Sequence, residues 1–192
     1  MDEFEALLAE IRACEICAAH LPLGPRPVLQ AHRDARILIA GQAPGRRVHA
    51  SGVPFQDPSG VRLREWLGVS EEVFYDPRKI AILPMGFCFP GSGSSGDKPP
   101  RRECAPAWRE RILAQLPHIG LVVVLGSYAQ SYHLGPGKRS VTEAVAAWRE
   151  FWPERLALPH PSPRNQGWFK KNRWFEDEIL PELRRRVAQL VA

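Results

Sequence analysis

No stretch of apolar residues in this 192-residue sequence approaches the roughly 20 that a helical membrane span requires, so no membrane association is expected. The opening residues Met1-Asp2-Glu3-Phe4-Glu5 are acidic and lack the basic segment, apolar core and small-residue cleavage site of a secretory signal, so the protein is expected in the cytoplasm. Internal repeats are missing, and so is any domain linker. The length suits one domain over 1–192, and a monomer is expected. Low complexity is confined to Pro90-Gly91-Ser92-Gly93-Ser94-Ser95-Gly96, which reads as a mobile loop inside the domain. Cysteine is scarce, with four in all.

The composition is that of a globular chain, with 44% hydrophobic and 24% charged residues. Net charge is +5 and the pI is near 9.3, the sign expected of a polyanion binder. Basic residues gather at Arg46/Arg47, 98–102, 170–173 and 184–186. Each cluster alone is more often a solvated face than a binding site; its value depends on whether the fold unites it with the others.

Periodicity sets the fold class. Phe4, Leu7, Leu8 and Ile11 have helical spacing, so a helix covers 2–13 and ends near Cys14. Short apolar runs at 35–40, 80–83 and 121–125, with another at 155–158, read as buried parallel strands. Helical patterns alternate with them at 60–67, 102–116, 127–133, 141–148 and 174–190. This alternation predicts an α/β fold, a mainly parallel sheet with helices on both faces. Ligands in such folds sit beyond the carboxyl ends of the strands, where loops 41–60, 84–100 and 159–173 emerge.

The cysteines pair as Cys14/Cys17, a C-x2-C turn at a helix end, and Cys88/Cys104, with fifteen residues between them. A cytoplasmic address disfavours disulfides. Four thiolates suit tetrahedral zinc or a four-iron cluster, and their count does not choose between them. The plainer alternatives are four unrelated buried cysteines or a redox C-x2-C pair.

Taken in order, Cys14-Glu15-Ile16-Cys17, Gly41-Gln42-Ala43-Pro44-Gly45, Val53-Pro54-Phe55, Cys88, Cys104 and His160-Pro161-Ser162-Pro163-Arg164-Asn165 resemble the uracil-DNA glycosylase superfamily. The cysteines and first loop are similar to the cluster-bearing families four and five, and the histidine loop to the single-strand-selective branch. The match runs from Cys14 to about Phe175. The resemblance implies a three-layer α/β/α sandwich on a four-stranded sheet, damaged DNA as the partner, and removal of uracil or a related deaminated base. It also implies a structural [4Fe-4S] cluster on Cys14, Cys17, Cys88 and Cys104, with zinc as the alternative.

Such a reaction develops positive charge on the sugar and negative charge on the departing base, so both need stabilising. By the resemblance His160 hydrogen-bonds the carbonyl on which the base's charge collects. Phe55 stacks on the extruded base, and backbone amides around Gln42 and Ala43, with glycine at Gly41, grip its edge. Gly45, Arg46, Ser162, Pro163 and Arg164 face the DNA backbone, and Lys170 and Lys171, interleaved with Trp168, Phe169 and Trp174, extend the track.

The chain departs from the family pattern in two places. Gln42 stands in the first catalytic loop where families four and five carry Glu, and Ala43 where the best-known branch has Asp, so residues 41–45 hold no carboxylate. Asp57 is the nearest replacement for stabilising the cation or orienting water, its other reading being a helix cap before Pro58. Pro84 stands where the family reads the uracil edge with Asn; Asn165, a backbone amide near Met85 or contacts from the glycine-serine loop Gly91 to Gly96 would have to compensate. These departures motivate a rival reading, a nucleic-acid-binding member with weak or no catalysis. A redox-sensing cluster protein is a third, and it gives His160 no role.

Overall fold

The four apolar runs become one sheet in a computed structural model that describes residues 2–135, 137 and 139–192. Strands β1 (Ile37–Ala40), β2 (Ile80–Ile82), β5 (Leu121–Leu125) and β6 (Arg155–Leu158) are all parallel, in the order β2-β1-β5-β6. A separate antiparallel hairpin is made by β3 (Ser92–Gly93) and β4 (Gly96–Asp97). The helices are α1 (Glu3–Arg12), α2 (Arg46–Ser51), α3 (Pro58–Leu67), α4 (Glu71–Phe74), α5 (Cys104–Leu113), α6 (Gly126–His133), α7 (Val141–Ala146), α8 (Gln166–Lys171) and α9 (Leu180–Val191).

Alternation along each strand assigns the layers. Ile37 and Ile39 of β1 point to one face and pack with Leu63, Trp66 and Leu67 of α3, Val145 of α7 and Leu183 and Val187 of α9. Leu38 points to the other face, against Phe4, Leu7, Leu8 and Ile11 of α1 and Trp108 and Ile112 of α5. Because helices cover both faces, every β1 side chain is buried and the strand reads as an unbroken apolar run. The result is the α/β/α sandwich that the alternating pattern implied.

Helix α1 starts where the sequence supplies a reciprocal cap: the Asp2 carboxylate accepts from the Glu5 N–H, and the Glu5 carboxylate from the Asp2 N–H. Other boundaries differ from expectation. The glycine-serine run expected to be a mobile loop forms the β3–β4 hairpin, tied at its base by the Lys98 N–H donating to the Gly91 carbonyl at 2.8 Å. The loop expected over 159–173 contains a 3-10 turn at Pro163–Asn165 and then α8. The last helix opens with a π turn, Phe175–Ile179, before α9 begins.

The end of β2 is anchored by an arginine that the sequence pattern did not single out. Arg109 of α5 is 1% exposed, and its guanidinium donates to the carbonyls of Leu83 (3.0 Å) and Pro84 (3.1 Å). It also donates to His133 Nε2, at 3.2 Å from Nε. A guanidinium can only donate, so His133 must accept and stays neutral, with its proton on Nδ1. Burial, with the Arg109 charge second, pushes the His133 pKa down to about 3.

A stability prediction follows from the sign of that shift. The unfolded chain takes up a proton that the folded one refuses, so stability is full above the ordinary histidine range and falls as pH drops from there towards 3. About 2 kcal/mol should be lost between pH 7 and pH 5. Denaturant melts at both values test this, and His133→Gln, which still offers Arg109 an acceptor, should remove most of the difference.

Candidate active site

Beyond the carboxyl ends of β1, β2 and β6 lies a cavity of about 410 Å³, within the range of small-molecule sites. The turn after β1 forms one wall. It is held as a continuation of the sheet, with the Met85 N–H donating to the Gly41 carbonyl (2.8 Å) and the Gly86 N–H to the Gln42 carbonyl (2.9 Å). The Met85 amide is therefore committed to Gly41. Gln42, whose side-chain amide donates to the Lys98 carbonyl at 3.2 Å, also lines the cavity, as do Gly41, Ala43, Gly45 and Arg46.

Phe55 stands on the wall beside that turn in the left-handed conformation, φ 54°, costly for an aromatic residue. Its neighbours impose that conformation. The Phe55 carbonyl packs so tightly on Gly60 that any Cβ there would collide with it. The Phe55 ring meets Phe74 edge-on at 6.2 Å, while the Tyr75 hydroxyl donates to the Pro54 carbonyl at 3.0 Å. Phe55 thus braces on the core and also borders the cavity. Asp57 lines the cavity as well, and its Oδ1 caps α3 by accepting from the Gly60 N–H at 3.0 Å.

His160 closes the cavity from the β6 side, and its tautomer follows from one bond. Nδ1 accepts from the Ser162 N–H at 3.2 Å, so the neutral ring carries its proton on Nε2. Burial holds the imidazole below its ordinary range, while the carboxylates of Asp57 and Asp97 pull the other way. The turn is fixed from two directions. Asn165 donates its side-chain amide to the His160 carbonyl at 2.8 Å and is not among the residues bordering the cavity, so it braces the turn. Arg62 of α3 reaches across to donate to the carbonyls of Pro161 (3.4 Å) and Ser162 (3.3 Å) and to Gln166 Oε1 (2.9 Å), with its guanidinium over the Phe169 ring.

Ser162 and Arg164 join the cavity wall, whereas Pro163, Lys170 and Lys171 do not. The aromatic residues interleaved with these lysines face inward. Phe169 is buried among Trp66, Trp168 and Phe175, and Trp168 Nε1 donates to Thr142 Oγ1 at 2.8 Å. They belong to the core, and no stacking track remains on α8 beyond its exposed lysines. The basic run of α9 packs elsewhere, Arg184 on the Glu65 carbonyl and Arg186 on the Gly120 carbonyl. Two cavity or turn residues carried no sequence signal: Asp97, at the end of the low-complexity run, and Arg62, inside an ordinary amphipathic helix.

The four cysteines border a second, small cavity on the α1–α5 side, at the end of α1, in the segment after β2 and at the start of α5. None is in a disulfide. Two sulfurs accept N–H donors, Cys14 from Trp108 Nε1 and Cys104 from the Phe87 amide, both at 3.3 Å. Burial pushes the Cys104 thiol up to about 12 and raises Cys88 and Cys17 as well. Among the described residues no three of these groups close around a single ion. Tetrahedral zinc, with Zn–S near 2.3 Å, would require sulfurs only about 3.8 Å apart.

A cavity of about 410 Å³ at the carboxyl edge of a parallel sheet, bordered by a glycine-flanked turn and a histidine-proline turn, marks the candidate ligand site of this α/β protein. The sequence model of the uracil DNA glycosylase superfamily matches residues 29–184, and the chain belongs to that superfamily. The chain is similar to a type-4 uracil-DNA glycosylase of Thermotoga maritima, 28% identical over 165 residues, covering 82% of this chain and 81% of the relative. A type-4 uracil-DNA glycosylase of Saccharolobus solfataricus is 26% identical over 136 residues, covering 69% of this chain and 59% of that longer relative. Among the described residues no helix is long and apolar enough to cross a membrane.

Proposed function

We propose that this protein hydrolyses the N-glycosidic bond of uracil or a related deaminated base in DNA. The observation that carries the reading is the meeting of His160, Phe55 and the 41–45 turn around one cavity. A base rotated out of the stack lies against Phe55, with the glycines of the turn allowing the backbone to approach its edge. The Nε2–H of neutral His160 donates to the carbonyl oxygen on which negative charge grows as the bond breaks. Asp57, whose second carboxylate oxygen is not used in the cap, stabilises the cationic sugar. Arg46, Ser162 and Arg164 at the mouth hold phosphates, with Gly45 and Pro163 beside them and Lys170 and Lys171 as a more distant attraction.

The four cysteines fit a [4Fe-4S] cluster better than zinc, because they border a common space without converging on one ion. When bound, the cluster supplies a structural cross-link between α1, the segment after β2 and α5, and takes no part in hydrolysis.

Arg62 gives this reading a demanding check. Arg62→Lys loses the fork in which Nη1 holds the Pro161 and Ser162 carbonyls while Nη2 holds Gln166 Oε1, so base release at saturating DNA should fall about 100-fold through misplacement of His160. DNA affinity should change little, and single-turnover rates beside binding curves separate the two.

The alternative reading, a nucleic-acid binder that has lost catalysis, is motivated by the absence of a carboxylate in residues 41–45 and by Pro84, which offers the base no side-chain donor. Oligonucleotides containing uracil, hypoxanthine or xanthine, treated with the protein and then with alkali, distinguish the readings. Strand scission on any of them supports the glycosylase, and intact strands throughout support the binder.

A further inference from the structure

Residues 41–45 contain no carboxylate, yet one lies against them. Asp97, on β4, places Oδ2 so near Gly45 that a Cβ added there would sit 3.3 Å from it, a close approach that the absence of a side chain at Gly45 eases. The hairpin is held in place from both catalytic turns. Gln42 donates its side-chain amide to the Lys98 carbonyl, a bond that an ionised glutamate could not make, and Arg164 packs over Gly96. Asp97 Oδ1 accepts from Ser92 Oγ at 3.2 Å, while Oδ2 has no partner among the described residues.

Depth in the cavity matches this carboxylate to one part of a substrate. The buried part of the wall formed by Val28, Ile82 and Pro84 is apolar and suits the face of a base. The sugar carbon C1′ lies one bond outside the base, at the rim, and Asp97 is an exposed rim residue on the same cavity as His160. We propose that Asp97 is a further catalytic residue: the group that orients the attacking water and takes its proton.

In this step, which rests on the glycosylase reading, the water oxygen bonds to C1′ and its proton passes to Asp97 Oδ2. The C1′–N bond breaks and its electron pair leaves with the base, whose carbonyl receives the His160 hydrogen bond. The departing base then takes a proton from solvent and Asp97 returns its own, so one water is consumed. Asp57 keeps the separate task of facing the cation. The carboxylate missing from the first turn is thus supplied from another segment, and Gln42 serves to hold that segment.

The test compares wild type, Asp97→Asn and Asp97→Ala on a uracil oligonucleotide in single turnover at saturating protein. Binding is measured on an uncleavable 2′-fluoro analogue. Asp97→Asn should slow release by about 100-fold or more, with affinity unchanged or tighter, because a negative charge beside phosphates has gone. Formate should restore part of the rate to Asp97→Ala. An Asp97→Asn variant as fast as wild type, one slowed only through weaker binding, or an Asp97→Ala variant indifferent to formate would each overturn the proposal and leave the glycosylase reading intact. A wild-type chain that releases no base from any substrate ends both.

Discussion

Replacing His160 by alanine should slow base release at saturating DNA by about 100- to 1000-fold, with affinity for an uncleavable analogue nearly unchanged. The size follows from where the donor acts. Charge collects on the base carbonyl only as the bond breaks, so a donor aimed there stabilises the transition state more than the bound substrate. The Ser162 N–H on Nδ1 leaves Nε2 as the donating nitrogen, and burial keeps the ring uncharged. Because the pKa in the folded protein lies below the ordinary histidine value, the neutral form dominates at neutral pH and persists into mild acid. The rate should therefore not fall through histidine protonation near pH 6.5, the ordinary value. His160→Gln, which keeps an N–H donor, should recover part of the loss. An alanine variant that retains the wild-type rate would remove His160 from the reaction.

Cys104→Ala should give the largest loss of stability. Four sulfurs border one space between α1 and α5, elements that otherwise meet mainly through apolar contacts. If a cluster joins them, the purified protein should be brown, contain iron and absorb broadly in the violet. The variant should lose the colour and about 4 kcal/mol or more of stability, which lowers Tm by about 8–16 °C in a chain of this size. Iron content, the visible spectrum and thermal melts check this together. A colourless protein containing stoichiometric zinc would replace the cluster with a tetrahedral site. A wild type with neither metal, as stable as its Cys104→Ala variant, would reduce the four cysteines to core residues.

The two departures from the family pattern differed in how far the sequence could take them. Gln42 stands in place of an acid, and Asp57, fifteen positions on, is the next carboxylate along the chain. Its spacing before Pro58 and Gly60 announced the cap, which the structure contains. Asp97 could not be found that way. It follows a glycine-serine run with no periodicity, and only the folding of that run into a hairpin against the first turn brings its carboxylate to the cavity. Asn165 illustrates the opposite error. Its place in the motif suggested contact with a base, but a side-chain amide beside a sharp turn can satisfy a nearby backbone carbonyl, and here that carbonyl belongs to His160.

The sequence by itself determined the layers and the edge of the sheet at which the cavity lies. Apolar runs a few residues long alternate with helical stripes, and this permits little besides a parallel sheet covered on both faces, with loops gathered at its carboxyl edge. It also marked the two turns and the four cysteines, because each is a local pattern readable along the chain. Tertiary structure alone decided which charged groups face the cavity and which face the core. Arg62, Asp97 and Arg109 meet their partners across 24 to 104 positions of sequence, and the inward-turned tryptophans near Lys170 follow the same logic. A side chain's role depends on what lies opposite it, and for contacts made at such separations no periodicity or neighbour in the chain records the partner.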